Sequence, residues 1–166
     1  MEEVIPGVLH WQARHPNLGV DVSSHLLTDT GTALDPILPE GEGAGWIGHD
    51  VQRAVLTCRH HVRSAPGLGV PIFAHRAGLS DLEGIDAEVH GYDAGDELAP
   101  GVRVLAFGRI SPDDAVLHIA AGPGGRQADA ARVRAVAAPG RALALARRLL
   151  GEHRDGDRQV QRGGDD

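Results

Sequence analysis

Through residue 120 the apolar positions come in short runs of four to ten residues, many alternating with polar ones, and turn-forming residues separate them. Alternation over such lengths is the signature of half-buried strands. The pattern predicts strands near residues 4–11, 19–28, 32–35, 53–57, 71–74, 86–91, 102–107 and 115–120. Turns fall at Pro16-Asn17, Asp29-Thr30-Gly31, Pro39-Glu40-Gly41, Pro66-Gly67 and Pro100-Gly101. Gly45 to Arg53 reads as a short helix that places Trp46, Ile47 and Val51 on one face. Beyond Pro123 the texture changes to Gly, Ala, Arg, Asp, Gln and Leu without an aromatic residue. Gln127–Ala138 and Arg141–His153 read as helices broken by Pro139-Gly140. The expected organisation is a domain over residues 1–122, two helices within 123–152 packing on it, and a disordered tail over 153–166.

Charge follows the same division. Residues 1–122 carry 17 Asp/Glu and 7 Arg, whereas residues 123–166 carry 6 Asp/Glu and 9 Arg. The acidic body argues against a nucleic-acid partner. All 16 basic residues are Arg, which points to coding bias before any preference for bidentate anion contacts. The single cysteine leaves no internal disulfide, no apolar run reaches membrane-spanning length, and Met1-Glu2-Glu3 lacks a basic leader; the expectation is a cytoplasmic protein without membrane contact.

Residues 56–63, Leu-Thr-Cys-Arg-His-His-Val-Arg, follow the apolar run Ala54-Val55-Leu56 and concentrate the chain's chemistry. They resemble the Thr-His-x-His-x-Asp-His loop of metallo-β-lactamase-fold hydrolases, with Thr57 and His60 matching while Cys58, Val62 and Arg63 stand where ligands would be. The likeness extends along the chain. Val4 to Trp11, Val20 to Leu27 and Gly31 to Pro36 resemble that family's first strands, and Gly95 to Gly101 its later turn. Phe107 to Pro112 resembles its Pro-Gly-His-Thr-Pro-Gly segment with Arg109 in place of the histidine, and Ala121-Gly122 stands where it has Gly-Asp.

The resemblance implies an α/β fold, the metallo-β-lactamase-type αββα sandwich, incomplete at its C-terminus. It implies a zinc-dependent hydrolase of esters, thioesters or lactams whose metal would lower the pKa of a bound water. Most of the expected ligands are replaced, so the expectation is zinc at low occupancy or none, and weak hydrolysis or none. Cys58, His60 and His61 are the candidate metal ligands, with Asp35, His75, Asp96 and His118 in support. Each residue also has an ordinary role: His60 and His61 as hydrogen-bonded loop histidines, Cys58 as a small buried residue, Asp35 and Asp96 as turn residues, His75 and His118 as strand-end histidines. The alternative function is a non-catalytic module that binds a small molecule or a protein. An uncovered sheet face or edge would further favour a homodimer.

Overall fold

The computed structural model describes residues 1–106 and 111–120, which form ten strands. Strands β1 (Glu2–Ile5) and β2 (Val8–Arg14) make a hairpin, so the strand expected over 4–11 is two. Pro6 and Gly7 divide it, because Gly7 holds φ at 81°, a left-handed conformation that glycine takes at little cost. β2 pairs antiparallel with β3 (Asp21–Leu27), and β3 with β4 (Thr32–Leu34). From there the ladder becomes parallel through β5 (Arg53–Val55), β6 (Ile72–His75) and β7 (Val89–Tyr92), giving a mixed seven-stranded sheet in sequence order. β8 (Glu97–Ala99), β9 (Val102–Ala106) and β10 (Ala115–Ile119) form a second, antiparallel three-stranded sheet. Strand β8 lies in a stretch whose sequence reads as a turn.

This architecture corrects the α/β expectation. The described residues are mostly β, and their helical elements are four 3-10 segments in place of the flanking helices of an αββα sandwich. The cause is visible in the connections between the parallel strands. The segment between β5 and β6 holds Pro66, Gly67, Gly69 and Pro71, which stop any helix after a turn. The helix expected over Gly45–Arg53 is a 3-10 turn, Ala44–Ile47, ended by Gly48 in a left-handed conformation. The expected helices at 127–138 and 141–153 and the tail lie outside the described residues.

Two apolar cores sit on opposite faces of the large sheet. On one face Val8, Leu27, Leu34, Val55 and Tyr92 meet Leu98, Val102, Val104, Ala115 and Leu117 of the small sheet. On the other, Trp11, Leu26, Ala33, Ala54 and Ile72 are covered by Ile47, Ala65, Leu68 and Leu82 from the connections. A buried methylene is worth about 0.8 kcal/mol, so these clusters supply the main driving force for folding. The polar ends of the two large buried aromatic residues are paired. The Trp11 indole N–H donates to the Ile37 carbonyl at 2.6 Å, and the Tyr92 hydroxyl donates to the Leu56 carbonyl at 2.6 Å.

That last bond ties the last strand of the large sheet to the residue just before the candidate loop. Tyr92 is 1% exposed, so Tyr92→Phe keeps the packing and leaves a buried carbonyl without its donor. The expected loss is about 1–3 kcal/mol in urea denaturation with an unchanged m value.

Candidate functional site

The site lies where β4 and β5 end, at the C-terminal edge of the parallel strands. Two residues there, Asp35 (φ 46°) and Arg63 (φ 35°), are the non-glycine residues with positive φ among those described. Aspartate enters this region readily because its side chain can bond locally; arginine gains no such relief, and such strain costs on the order of 1–3 kcal/mol. The two touch each other: Arg63 Nη1 donates to the Asp35 carbonyl at 3.1 Å and to the Ser23 carbonyl at 3.4 Å. The Ser24 hydroxyl donates to the same Asp35 carbonyl at 2.7 Å.

The Asp35 carboxylate is itself fully engaged. Oδ1 accepts the Thr57 N–H at 2.7 Å, and Oδ2 accepts the Thr57 hydroxyl at 2.6 Å. His61 Nδ1 lies 3.0 Å from Asp35 Oδ2 and 3.0 Å from Thr57 Oγ1. Thr57 has one hydroxyl proton, and it goes to Asp35. The network therefore assigns a proton to His61 Nδ1 and, in the neutral ring, leaves the lone pair on Nε2. This is not a nucleophilic triad, because hydroxyl and carboxylate meet the same ring nitrogen and no relay runs through the imidazole.

A second cluster flanks the first. Cys58 is extended, 8% exposed, and its sulfur accepts the His60 N–H at 3.4 Å as the 3-10 turn Arg59–His61 begins. Its sulfur and carboxylate oxygens of Asp113 and Asp114 lie within 4.8 Å of one another. Burial, assisted by the nearby carboxylates of Asp113, Asp114 and Asp35, pushes the thiol up to about 11. At neutral pH, with no cation beside it, the side chain is therefore a thiol and a poor nucleophile. Asp113 is 1% exposed and accepts the Arg59 N–H at 2.6 Å, the Arg59 guanidinium and the Ser111 hydroxyl. Burial alone would raise its pKa; the Ser111 and Arg59 contacts outweigh that and hold it below the usual carboxylate range. Arg59 reaches Asp81 as well, with Nε 2.5 Å from Oδ2. Gly78 makes room for the pair, since a Cβ there would come within 3.0 Å of Asp113 Oδ2 and 3.1 Å of Arg59 Cβ.

Of the residues singled out by sequence, the structure joins Asp35 and His61. Cys58 sits with Asp113 and Asp114 instead of with the two histidines as a metal-spaced set. His60 is exposed at the start of the loop. His75 accepts the Ala77 N–H at 3.2 Å, starting a 3-10 segment, and its ring stands edge-on to Tyr92 at 5.7 Å. Asp96 closes an exposed turn by accepting the Asp93 N–H at 2.9 Å. His118 lies on the face of β10 opposite buried Leu117, across from Arg103. Sequence reasoning missed Ser111, Asp113 and Asp114. Their only signal is a Ser-Pro-Asp-Asp turn, and nothing in a separation of 54 residues shows that Asp113 meets Arg59. Arg109 and Ala121 lie outside the described residues.

The zinc that the resemblance implies does not fit this donor set. Cys58 clusters with Asp113 and Asp114 and not with His60 and His61, and the guanidinium of Arg59 already sits on the carboxylate of Asp113. Two unit charges 4 Å apart at an effective dielectric of 20 interact by about 4 kcal/mol, so a dication beside that guanidinium is opposed by at least that order. No protein-family model matches the chain, and no curated protein shows significant similarity to it.

Two outcomes follow from this geometry. Asp35→Ala removes the acceptor of two buried donors and should cost about 2–4 kcal/mol in chemical denaturation, against under 1 kcal/mol for the exposed turn substitution Asp96→Ala. The second concerns His25, which faces His10 across β2 and β3 with ring centroids 5.0 Å apart. Burial first, then the His10 ring, lowers its pKa from the ordinary 6.5, with Asp35 acting in the opposite sense. A lowered folded pKa means the unfolded chain binds the proton more readily. Its contribution is present above about pH 6.5 and is lost as pH falls through the lower folded value. Denaturation midpoints should therefore fall between pH 7 and pH 5 by more in wild type than in His25→Gln.

Proposed function

We propose that this chain is a non-catalytic binding module, akin in the order of its motifs over residues 4–122 to metallo-β-lactamase-fold hydrolases but without their metal chemistry. The observation that carries the reading is the closed network of Asp35, Thr57 and His61, in which the groups suited to catalysis are spent on one another. The Thr57 hydroxyl directs its one hydrogen bond to the Asp35 carboxylate within that network, and the Cys58 thiol is protonated and buried. A nucleophile needs an adjacent base or a lowered pKa: the Cys58 thiol is shifted the wrong way, and the carboxylate and imidazole beside Thr57 are already committed to each other.

The binding surface in this reading is the C-terminal edge of the parallel strands, where His60, Arg76 and Asp93 are exposed around the buried network. Ligands of parallel sheets collect at this edge because the loops that follow the strands converge there. The partner is a small molecule or a protein, not nucleic acid, in keeping with the acidic body. A second copy of the chain is one candidate partner. Among the described residues, no helix is long and apolar enough to cross a membrane. A reducing, cytoplasmic setting suits the lone free cysteine.

One observation favours a second reading, a weak hydrolase with substitute ligands. A histidine whose Nδ1 is oriented by a carboxylate presents Nε2 as a metal ligand or general base. The two readings separate in one set of measurements. Under the binding reading, purified chain takes up less than one zinc per molecule, gains under about 2 °C in Tm when zinc is added, and turns over no ester, thioester or lactam above background. His60→Ala and His61→Ala then change neither readout. Stoichiometric zinc together with turnover that His61→Ala abolishes would establish the hydrolase.

A further inference from the structure

The misfit between this donor set and a metal has a positive side. We infer that Arg59 is a built-in cation, whose guanidinium holds together the carboxylates and the loop that a bound dication would otherwise join. Its position supports this directly. The residue lies on the loop after β5, and its side chain reaches Asp113, on the loop before β10, and Asp81, in the 3-10 segment Arg76–Leu82. One charge therefore ties the large sheet's loop to two other elements that are remote from it in sequence.

The surroundings are built for that charge. Asp113 is buried and stays ionised, and its other donors, the Ser111 hydroxyl and the Arg59 N–H, are neutral. A buried carboxylate needs a positive partner, and the guanidinium is the one it touches. The fork of Arg59 spans two carboxylates, a task for which its planar, permanently charged group is suited and the lysine point charge is not. Asp113 and Asp114 also offer carboxylate oxygens within 4.8 Å of the Cys58 sulfur, so guanidinium and dication would compete for the carboxylate of Asp113. The inference does not depend on the absence of hydrolysis, because it is read by stability and metal uptake alone.

The test is a double-mutant cycle on the full chain, followed by thermal unfolding with and without cadmium. Arg59→Ala should lower Tm by about 10 °C, because it strands a buried carboxylate. Arg59→Lys should lower it by less. Asp113→Asn removes the need for the cation, so Arg59→Ala/Asp113→Asn should unfold close to Asp113→Asn itself. If Arg59→Ala does not fold, a folded double variant is the same coupling in stronger form. Cadmium should raise the Tm of Arg59→Ala while leaving wild type unchanged, with a thiolate-to-metal absorption band in the variant alone. Additive losses in the cycle, or a cadmium shift as large in wild type as in Arg59→Ala, overturn the inference.

Discussion

The carboxylate of Asp35 is the interaction on which the site depends. It stands one residue past β4, and its two oxygens accept the backbone and hydroxyl protons of Thr57, two residues past β5. That clamp holds two adjacent parallel strands in register beyond their last ladder bonds, where the chains would otherwise splay. It also decides where the loop goes. With Thr57 fixed, the 3-10 turn Arg59–His61 returns the His61 ring to the same carboxylate, and Arg63 closes over the Asp35 carbonyl. Both residues hold left-handed backbone, and the contacts between them are what offset that strain.

Around this clamp the chain manages charge with arginine. Arg59 and Arg63 lie partly buried, one on carboxylates and one on carbonyls. A guanidinium loses less hydration on burial than an ammonium and has five donors to place, which suits both positions. The cost of the Arg63 arrangement appears in its lowered pKa, which burial depresses and Asp35 partly restores. Cys58 is shifted in the other direction for the same reason, since burial among carboxylates disfavours a thiolate. A loop that resembles a metal cradle in its residue order is thus, electrostatically, a surface already neutralised from within. The apolar half of the loop anchors this arrangement: Leu56 is packed in the core beneath it, and Val62 lies against the same cluster.

The sequence by itself determined the β-strand content of residues 4–120 and the loop on which the chemistry centres. Alternation located most strands to within a few residues, because a strand with one buried face must repeat every second position. It could not divide the first strand at Pro6-Gly7 or find β8, where two buried residues, Leu98 and Ala99, owe their burial to the opposing sheet. It also misjudged the fold class. Expecting helices between parallel strands is sound in general, but here Gly and Pro limit those connections to 3-10 turns. Asp35 and His61 were legible as candidates, since a carboxylate and an imidazole flank the strands that bring them together. Only the tertiary structure decided that Cys58 faces Asp113 and Asp114 instead of the histidines, and that Arg59 carries the balancing charge. Those contacts span more than fifty residues and cross from one sheet to the other, and no periodicity along a chain records which side chains such a packing will oppose.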